Sequence, residues 1–210
     1  MRGLLIKDFY MLRKHFKMYL LIDVLFIAVA FFSADNIMFV ALPIMLAGII
    51  PITLLAYDER SRWTEYCGAL PYSRAQIVSA KYLVGLALQT ITSIVVLIVL
   101  IIRNNEFSFN TLEELIASVA AMFIASFIMP TICMPFSLKF GTEKGRIIYY
   151  VVIAAIAGFI ALAVESTDDI PRKLDSLAGL MPIICTGLIV LYALSWLLSV
   201  AFYNYKEIGK

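Results

Sequence analysis

Long apolar runs separated by short polar segments dominate this sequence. Six runs approach the roughly 20 residues that an α-helix needs to cross the hydrocarbon core of a bilayer. They cover residues 18–32, 37–57, 82–102, 115–136, 147–164 and 177–203. The pattern therefore predicts an all-α, polytopic membrane protein with six transmembrane helices, built as a single transmembrane domain over residues 1–210.

The composition agrees with a membrane location. Apolar residues make up 62% of the chain and charged residues 15%, against about 45–50% and about 25% in soluble proteins. A soluble fold of this length could not cover so much apolar surface, because roughly a third of the surface of the unfolded chain stays exposed. The net charge of +2 is also too small for a nucleic-acid-binding domain. A soluble enzyme, a disordered segment and a nucleic-acid partner are therefore excluded.

The distribution of basic residues predicts the orientation of the spans. Cytoplasmic loops of membrane proteins are enriched in lysine and arginine. Here 14 of the 17 basic residues fall in the N-terminal segment, in residues 58–81 and 137–146, and in the C-terminal tail. The alternate loops hold three basic residues and eight acidic ones. This alternation predicts that both termini are cytoplasmic.

Residues 1–17 have the pattern of an amphipathic helix. At 100° per residue, five apolar side chains fall within an arc of about 80°. They are Met1, Leu5, Phe9, Leu12 and Phe16. Lys7, Lys14 and Lys17 lie opposite, which predicts a helix in the membrane interface with its lysines reaching the lipid headgroups. An ordinary basic flank that only sets the topology is the alternative.

Residues 58–81 are the most informative segment between the spans. An apolar stripe at i, i+3, i+4 and i+7 predicts a short helix, and its members are Trp63, Tyr66, Cys67 and Leu70. Pro71 ends that helix, and Ser73 with Gln76 forms a capping box that starts the next helix at Arg74. A solvated loop with an interfacial tryptophan is the alternative to this compact structure.

The sequence predicts no catalytic, cofactor or metal site in this chain. It contains no phosphate-binding loop of the form G-x-x-x-x-G-K-[ST], and His15 is its only histidine. Asp23 is the only formal charge inside a predicted span. We interpret it as a possible intramembrane polar site, either a structural carboxylate near the interface or part of a transport path.

The chain resembles the permease subunits of ABC type-2 transporters, bacterial exporters whose ATPase is a separate polypeptide. The resemblance covers essentially the whole length. Its most specific match is Glu59-Arg60-x-x-Trp63-x-Glu65, followed by Leu70-Pro71-Tyr72-Ser73-Arg74 and Lys81-Tyr82. The resemblance implies that residues 58–81 are the coupling segment that docks on the ATPase. The docking residues that we expect are Glu59, Arg60, Trp63, Glu65, Tyr66 and Arg74.

The resemblance also implies partners and a location. The protein would be a multi-pass component of the bacterial cytoplasmic membrane, paired with a second copy or a sister permease, and would contact membrane lipids. ATP and magnesium would bind to the separate ABC ATPase, whose closure would drive export of a peptide, antibiotic, drug or lipid-like substrate. Two alternatives remain, namely a non-transporting scaffold or regulatory subunit and an ion-coupled secondary transporter.

Overall fold

The computed structural model describes residues 2–15, 17–32, 37–67, 70–103, 109–165 and 170–205. The side chains of some residues in these ranges, among them 64–65 and 156–165, lie outside the description. All regular structure in the described ranges is helical. In chain order the helices are α1 (Arg2–His15), α2 (Lys17–Phe32), α3 (Ile37–Arg60), α4 (Trp63–Cys67), α5 (Arg74–Arg103), α6 (Phe109–Ser126), α7 (Ile128–Phe140), α8 (Thr142–Glu165) and α9 (Ile170–Tyr205).

The helices are long enough to make this a multi-pass membrane protein, as the sequence predicted. In the described part of the chain, four stretches have the length and hydropathy of a span, and they are Phe39–Arg60, Arg74–Arg103, Leu112–Phe140 and Thr186–Asn204. A fifth results if α1 and α2, which meet at 69°, form one bent span. The predicted run 147–164 falls within α8. Four to five candidate spans are thus established, and the count of six stays a prediction.

α3 is the central helix of the bundle. In its most apolar window, 61% of the residues are buried inside the protein, compared with 17–28% in the other three candidate spans. It packs against α2, α5, α6 and α7. Outward-facing apolar side chains on the surrounding helices are largely exposed, for example Val24 at 67% and Ile91 at 59%. Such faces suit contact with lipid rather than water.

Polar side chains of neighbouring helices bond to the stretch formed by α6 and α7. A proline lacks the N–H that would bond to the carbonyl four residues earlier. The carbonyl freed by Pro130, on Ser126, accepts a hydrogen bond from Gln89 Nε2 of α5 at 3.1 Å. Pro135 likewise frees the carbonyl of Thr131, which accepts a hydrogen bond from Ser195 Oγ of α9 at 2.7 Å. The two prolines therefore create acceptors that neighbouring helices satisfy inside the bundle.

α1 forms a helix over Arg2–His15, as predicted for residues 1–17, while its position in the membrane interface stays a prediction. Phe9 of the predicted membrane-facing stripe is 65% exposed, whereas Leu5 and Leu12 pack against buried clusters of the protein. Lys7, however, does not reach outward, and the prediction that it contacts lipid headgroups is wrong. Its ammonium group lies 2.8 Å from Asp58 and 3.1 Å from Asp8. Paired carboxylates inside the protein attract this lysine more strongly than the polar surface does.

Candidate coupling surface

The coupling segment, residues 58–81, begins at the end of α3 with a short turn. The N–H of Ser61 donates to the carbonyl of Tyr57 at 3.0 Å, and the N–H of Arg62 donates to that of Glu59 at 3.1 Å. Arg62 has φ 51°, the left-handed conformation that often terminates a helix. This turn redirects the chain into α4, which starts at Trp63.

Glu59 connects the end of α3 to the turn between α7 and α8. Its Oε2 accepts hydrogen bonds from the backbone N–H of Thr142 at 2.9 Å and from its hydroxyl at 2.7 Å. Thr142 is the first residue of α8, where free N–H groups and the helix dipole favour a negative charge. Gly141 permits the turn, since its φ is 94°. A predicted docking residue is thus engaged within the chain.

Four charged side chains join α1, α3 and α5 in a buried cluster, which we call the ionic quartet: Lys7, Asp8, Asp58 and Lys81. Lys81 Nζ lies 2.6 Å from Asp8 Oδ1 and 2.7 Å from Asp58 Oδ2. Lys7 Nζ lies 2.8 Å from Asp58 Oδ1 and 3.1 Å from Asp8 Oδ1. The side chains of the two aspartates and Lys81 are at most 5% exposed. Two positive and two negative charges cancel, which lowers the free-energy cost of burying them.

α4 packs against the quartet with one side and presents its other side outward. Lys7 Nζ lies 4.4 Å from the ring centroid of Trp63, a cation–π contact. Cys67 is 1% exposed and joins an apolar cluster with Leu4. Burial raises the pKa of the Cys67 thiol, so the thiol stays neutral. Tyr66 is 61% exposed, with its ring 5.5 Å from that of Trp63.

The start of α5 agrees with the predicted capping box. The N–H of Ser73 donates to Gln76 Oε1, and the N–H of Gln76 donates to Ser73 Oγ, both at 3.2 Å. The helix begins at Arg74, as predicted. The guanidinium of Arg74 donates to the backbone carbonyl of Asn204, in the last turn of α9, where the helix dipole favours a positive charge. The coupling segment is therefore also attached to α9.

An open recess of about 550 Å³ lies beside this segment, between the end of α3 and the turn from α7 to α8. Its charged lining residues are Glu59, Arg60, Glu143, Lys144 and Arg146. Glu59 is bonded to Thr142, and the remaining lining charges are three positive and one negative. Arg60 and Lys144 are exposed at the rim. The recess is electrostatically suited to an acidic partner surface.

The structure separates five of the six predicted docking residues into two groups. Arg60 and Tyr66 are exposed. Arg62, which was not among the predicted residues, is exposed near them. The chain itself engages Glu59, Trp63 and Arg74. The side chain of Glu65 lies outside the described residues. The role of all six residues in docking stays a prediction.

The ionic quartet was not predicted as a unit. Its members come from three helices, and Asp8 and Lys81 are 73 positions apart. The sequence did carry one signal, because Asp58 and Lys81 are the charged residues at the two ends of the coupling segment. Their pairing with an N-terminal helix depends on the fold.

Asp23 lies on α2 and belongs to neither group. It is 7% exposed, and its Oδ1 has no hydrogen-bond partner among the described residues. Asp23 is therefore a buried polar residue, and its role as an intramembrane site stays a prediction.

Together, the long apolar helices and the structured segment that caps one end of them define a multi-pass helical membrane protein with a polar surface for a partner. A model of the ABC-2 family transporter proteins matches residues 3–204. The chain therefore belongs to the ABC-2 family of transporter membrane proteins, and the resemblance inferred from its motifs is confirmed. No curated protein and no solved structure matches the chain.

Proposed function

We propose that this chain is the permease subunit of an ATP-driven exporter and that residues 58–81 dock on a separate ABC ATPase. In this proposal six helices cross the bacterial cytoplasmic membrane and both termini are cytoplasmic. The end of the bundle that carries α4 then faces the compartment where ATP is available. The 14 basic residues that alternate with the acidic loops support that orientation.

The observation that carries the proposal is the attachment of the coupling segment, which includes the end of α3 and the start of α5, to three other helices. The ionic quartet links it to α1, Glu59 links it to α8, and Arg74 links it to α9. A loop that only reconnects two spans would not need these contacts. Because buried paired charges are costly to separate, a force applied to α4 would displace these helices together.

The outward side of the coupling segment supports an ATPase as the docking partner. Tyr66 is a large exposed aromatic side chain, of the type that anchors protein interfaces. Arg60 and Arg62 are exposed beside it, and the recess with Lys144 and Arg146 adjoins them. We expect an acidic surface on the partner, since complementary charges orient the two proteins during association.

ATP supplies the difference in free energy between two states that a transport cycle requires. ATP and magnesium would bind to the partner, and closure of two ATPases would push on two coupling segments. The second segment would belong to another copy of this chain or to a sister permease, and the interface between the two bundles would open. We propose a peptide, antibiotic, drug or lipid-like molecule as the substrate, because exporters of these classes share this apolar composition.

A pull-down of the ATPase, normalised to permease abundance, tests the docking surface. Tyr66→Ala should weaken association by at least about 2 kcal/mol if Tyr66 fills a pocket on the partner. That loss corresponds to roughly a thirtyfold fall in affinity. Trp63→Ala should instead lower permease abundance, because Trp63 packs on Lys7 inside the chain. Phe32→Ala is the control, an aromatic side chain that is 85% exposed on a different helix.

Charge substitutions provide an independent arm of the same experiment. The double change Arg60→Ala with Arg62→Ala should weaken docking most at low salt, since exposed charges are screened at high salt. An unchanged ATPase yield for both this variant and Tyr66→Ala would contradict the docking surface. If the chain never copurifies with an ATPase, a non-transporting scaffold or regulatory subunit is favoured. Transport that persists without ATP would favour an ion-coupled secondary transporter.

A further inference from the structure

Five buried side-chain oxygen atoms have no hydrogen-bond partner in the described part of the chain, and three of them lie on α2 and α5. They are Asp23 Oδ1 on α2 and, on α5, Gln89 Oε1 and Ser93 Oγ. The three residues are 7%, 0% and 8% exposed. Buried polar atoms are normally satisfied, and a buried carboxylate oxygen without a partner is costly. These three unpaired oxygen atoms therefore need an explanation.

Two apolar clusters show how α2 aligns with α5. In one cluster, Tyr19 of α2 and residues 84 and 88 of α5 pack against the same two residues of α3, Ile50 and Leu54. The other places Ala30 of α2 with residues 96 and 100 of α5. The guanidinium of Arg103 also donates to the carbonyl of Ala30 at 2.9 Å. The two helices thus run in the same direction, with a nearly constant offset.

Asp23 falls between these two reference points. It precedes Ala30 by seven residues, or about two helical turns, and therefore shares a face with it. Residues 89–93 of α5 likewise precede residues 96–100 by seven positions, and they include Gln89 and Ser93. Those two residues are one turn apart on the buried face of α5. Asp23, Gln89 and Ser93 therefore fall at one level of the bundle, on the faces of α2 and α5 that pack against α3.

The amide group of Gln89 is oriented by bonds to α6. Its Nε2 donates to the carbonyl of Ser126 at 3.1 Å and to its hydroxyl at 3.0 Å. Both amide hydrogens are therefore used, and Oε1 can only accept. Gly48 of α3 lies beside this amide, since a Cβ there would be 3.0 Å from Gln89 Nε2. The glycine lets α3 approach without blocking the amide.

The charge at this level is a single carboxylate. In the described residues, the ion pairs involve Lys7 and Lys81, and no basic side chain pairs with Asp23. Oxygen atoms are the ligands preferred by hard cations. One positive charge would neutralise the carboxylate, whereas a divalent ion would leave an excess charge inside the bundle. We infer that Asp23, Gln89 and Ser93 form a binding site for one small monovalent cation, either Na⁺ or a proton held with water.

This inference goes beyond the proposed function, because ATP-driven export does not itself require a bound cation. The test uses the purified full-length permease without an ATPase, so its result is independent of the docking surface. The thermal unfolding midpoint is measured with NaCl in place of choline chloride at constant ionic strength, and then across a pH series in choline chloride. A ligand that binds only the folded state raises this midpoint.

We expect the midpoint of the wild-type protein to rise in one of the two series. A rise with NaCl at fixed pH identifies Na⁺, and a rise only on acidification identifies a proton. Asp23→Asn should abolish the response. Ser93→Ala should shift the half-saturating concentration by at least about tenfold, as lost supporting contacts do in metal sites. Glu114→Gln, which removes an exposed carboxylate of α6, is the matched control.

Two results would overturn the site. One is a wild-type midpoint that responds neither to Na⁺ nor to acid. The other is a response that Asp23→Asn and Ser93→Ala share fully with the wild-type protein. If Asp23→Asn does not accumulate in the membrane, Ser93→Ala decides alone, because losing one hydroxyl changes little of the packing. An unshifted Ser93→Ala response would then contradict the inference.

Discussion

Lys81 is the last residue of the coupling segment and lies on α5. Its ammonium group contacts two carboxylates instead of water. Each aspartate of the ionic quartet contacts both lysines, so every charge has two opposite neighbours. Such buried networks add little net stability compared with apolar packing, but losing one member leaves an uncompensated charge. The quartet therefore specifies one arrangement of α1, α3 and α5.

Replacing Lys81 tests the quartet at the scale of single residues. Lys81→Met should lower the free energy of unfolding by about 3–5 kcal/mol, because two buried carboxylates would share one lysine. Adding Asp8→Asn should restore part of the loss, since Lys7 and Asp58 still balance each other. The thermal unfolding midpoint and the amount of protein in the membrane fraction measure both effects.

The control for this series is Lys14→Met, which removes an exposed lysine from α1. Surface charges of this kind contribute at most about 1 kcal/mol. A Lys81→Met protein that is as stable as Lys14→Met would contradict the role of the quartet. A double variant less stable than Lys81→Met alone would contradict the balance of charges within it.

Among the secondary-structure elements, α7 and α8 cross at a point that only glycine allows. A Cβ on Gly145 would lie 2.9 Å from both the Cα and the N of Ser137. These are backbone atoms, so a larger residue could be accommodated only if one helix shifted. The same crossing brings Cys133 Sγ to within 3.5 Å of the carbonyl of Gly145.

Substituting Gly145 tests this crossing. Gly145→Ala should lower the free energy of unfolding by about 1–3 kcal/mol, the range for overpacking a close contact. Gly187→Ala is the matched control, since a Cβ there would meet nothing within 4 Å. Alanine favours a helix over glycine by roughly 0.5–1 kcal/mol, so this control should be neutral or slightly more stable. Equal midpoints for the two variants would contradict the close approach.

Elements were predictable from sequence where their signals are local. Ser73 and Gln76 lie three residues apart, and their reciprocal bonds start α5 at the predicted residue. The exposed side of α4 was not predictable in the same way. The periodic stripe grouped Trp63 with Tyr66, but α4 has only five residues, and Tyr66 is 61% exposed whereas Trp63 lies against Lys7. The packing of Lys7 on Trp63 comes from a distant helix, which no local pattern contains.

At the scale of the whole molecule, the polar contacts are unevenly distributed. The quartet, the contact of Glu59 with α8 and the contact of Arg74 with α9 all lie at the end of the bundle that carries α4. The surrounding helices present apolar faces outward along their length. The segments at this end also hold most of the lysines and arginines, and the positive-inside rule therefore predicts that this end lies in the cytoplasm.

Cysteine labelling in intact cells tests this orientation, in a variant that lacks the three native cysteines, Cys67, Cys133 and Cys185. Single cysteines at positions 35, 105 and 169 should react with a membrane-impermeant thiol reagent, since the alternation of charge places those loops outside. Cysteines at Ser61 and Lys144 should react only after permeabilisation. Both positions are exposed, so protection in intact cells would reflect the side of the membrane and not burial. Labelling of Ser61 in intact cells would reverse the topology and place the coupling segment out of reach of a cytoplasmic ATPase.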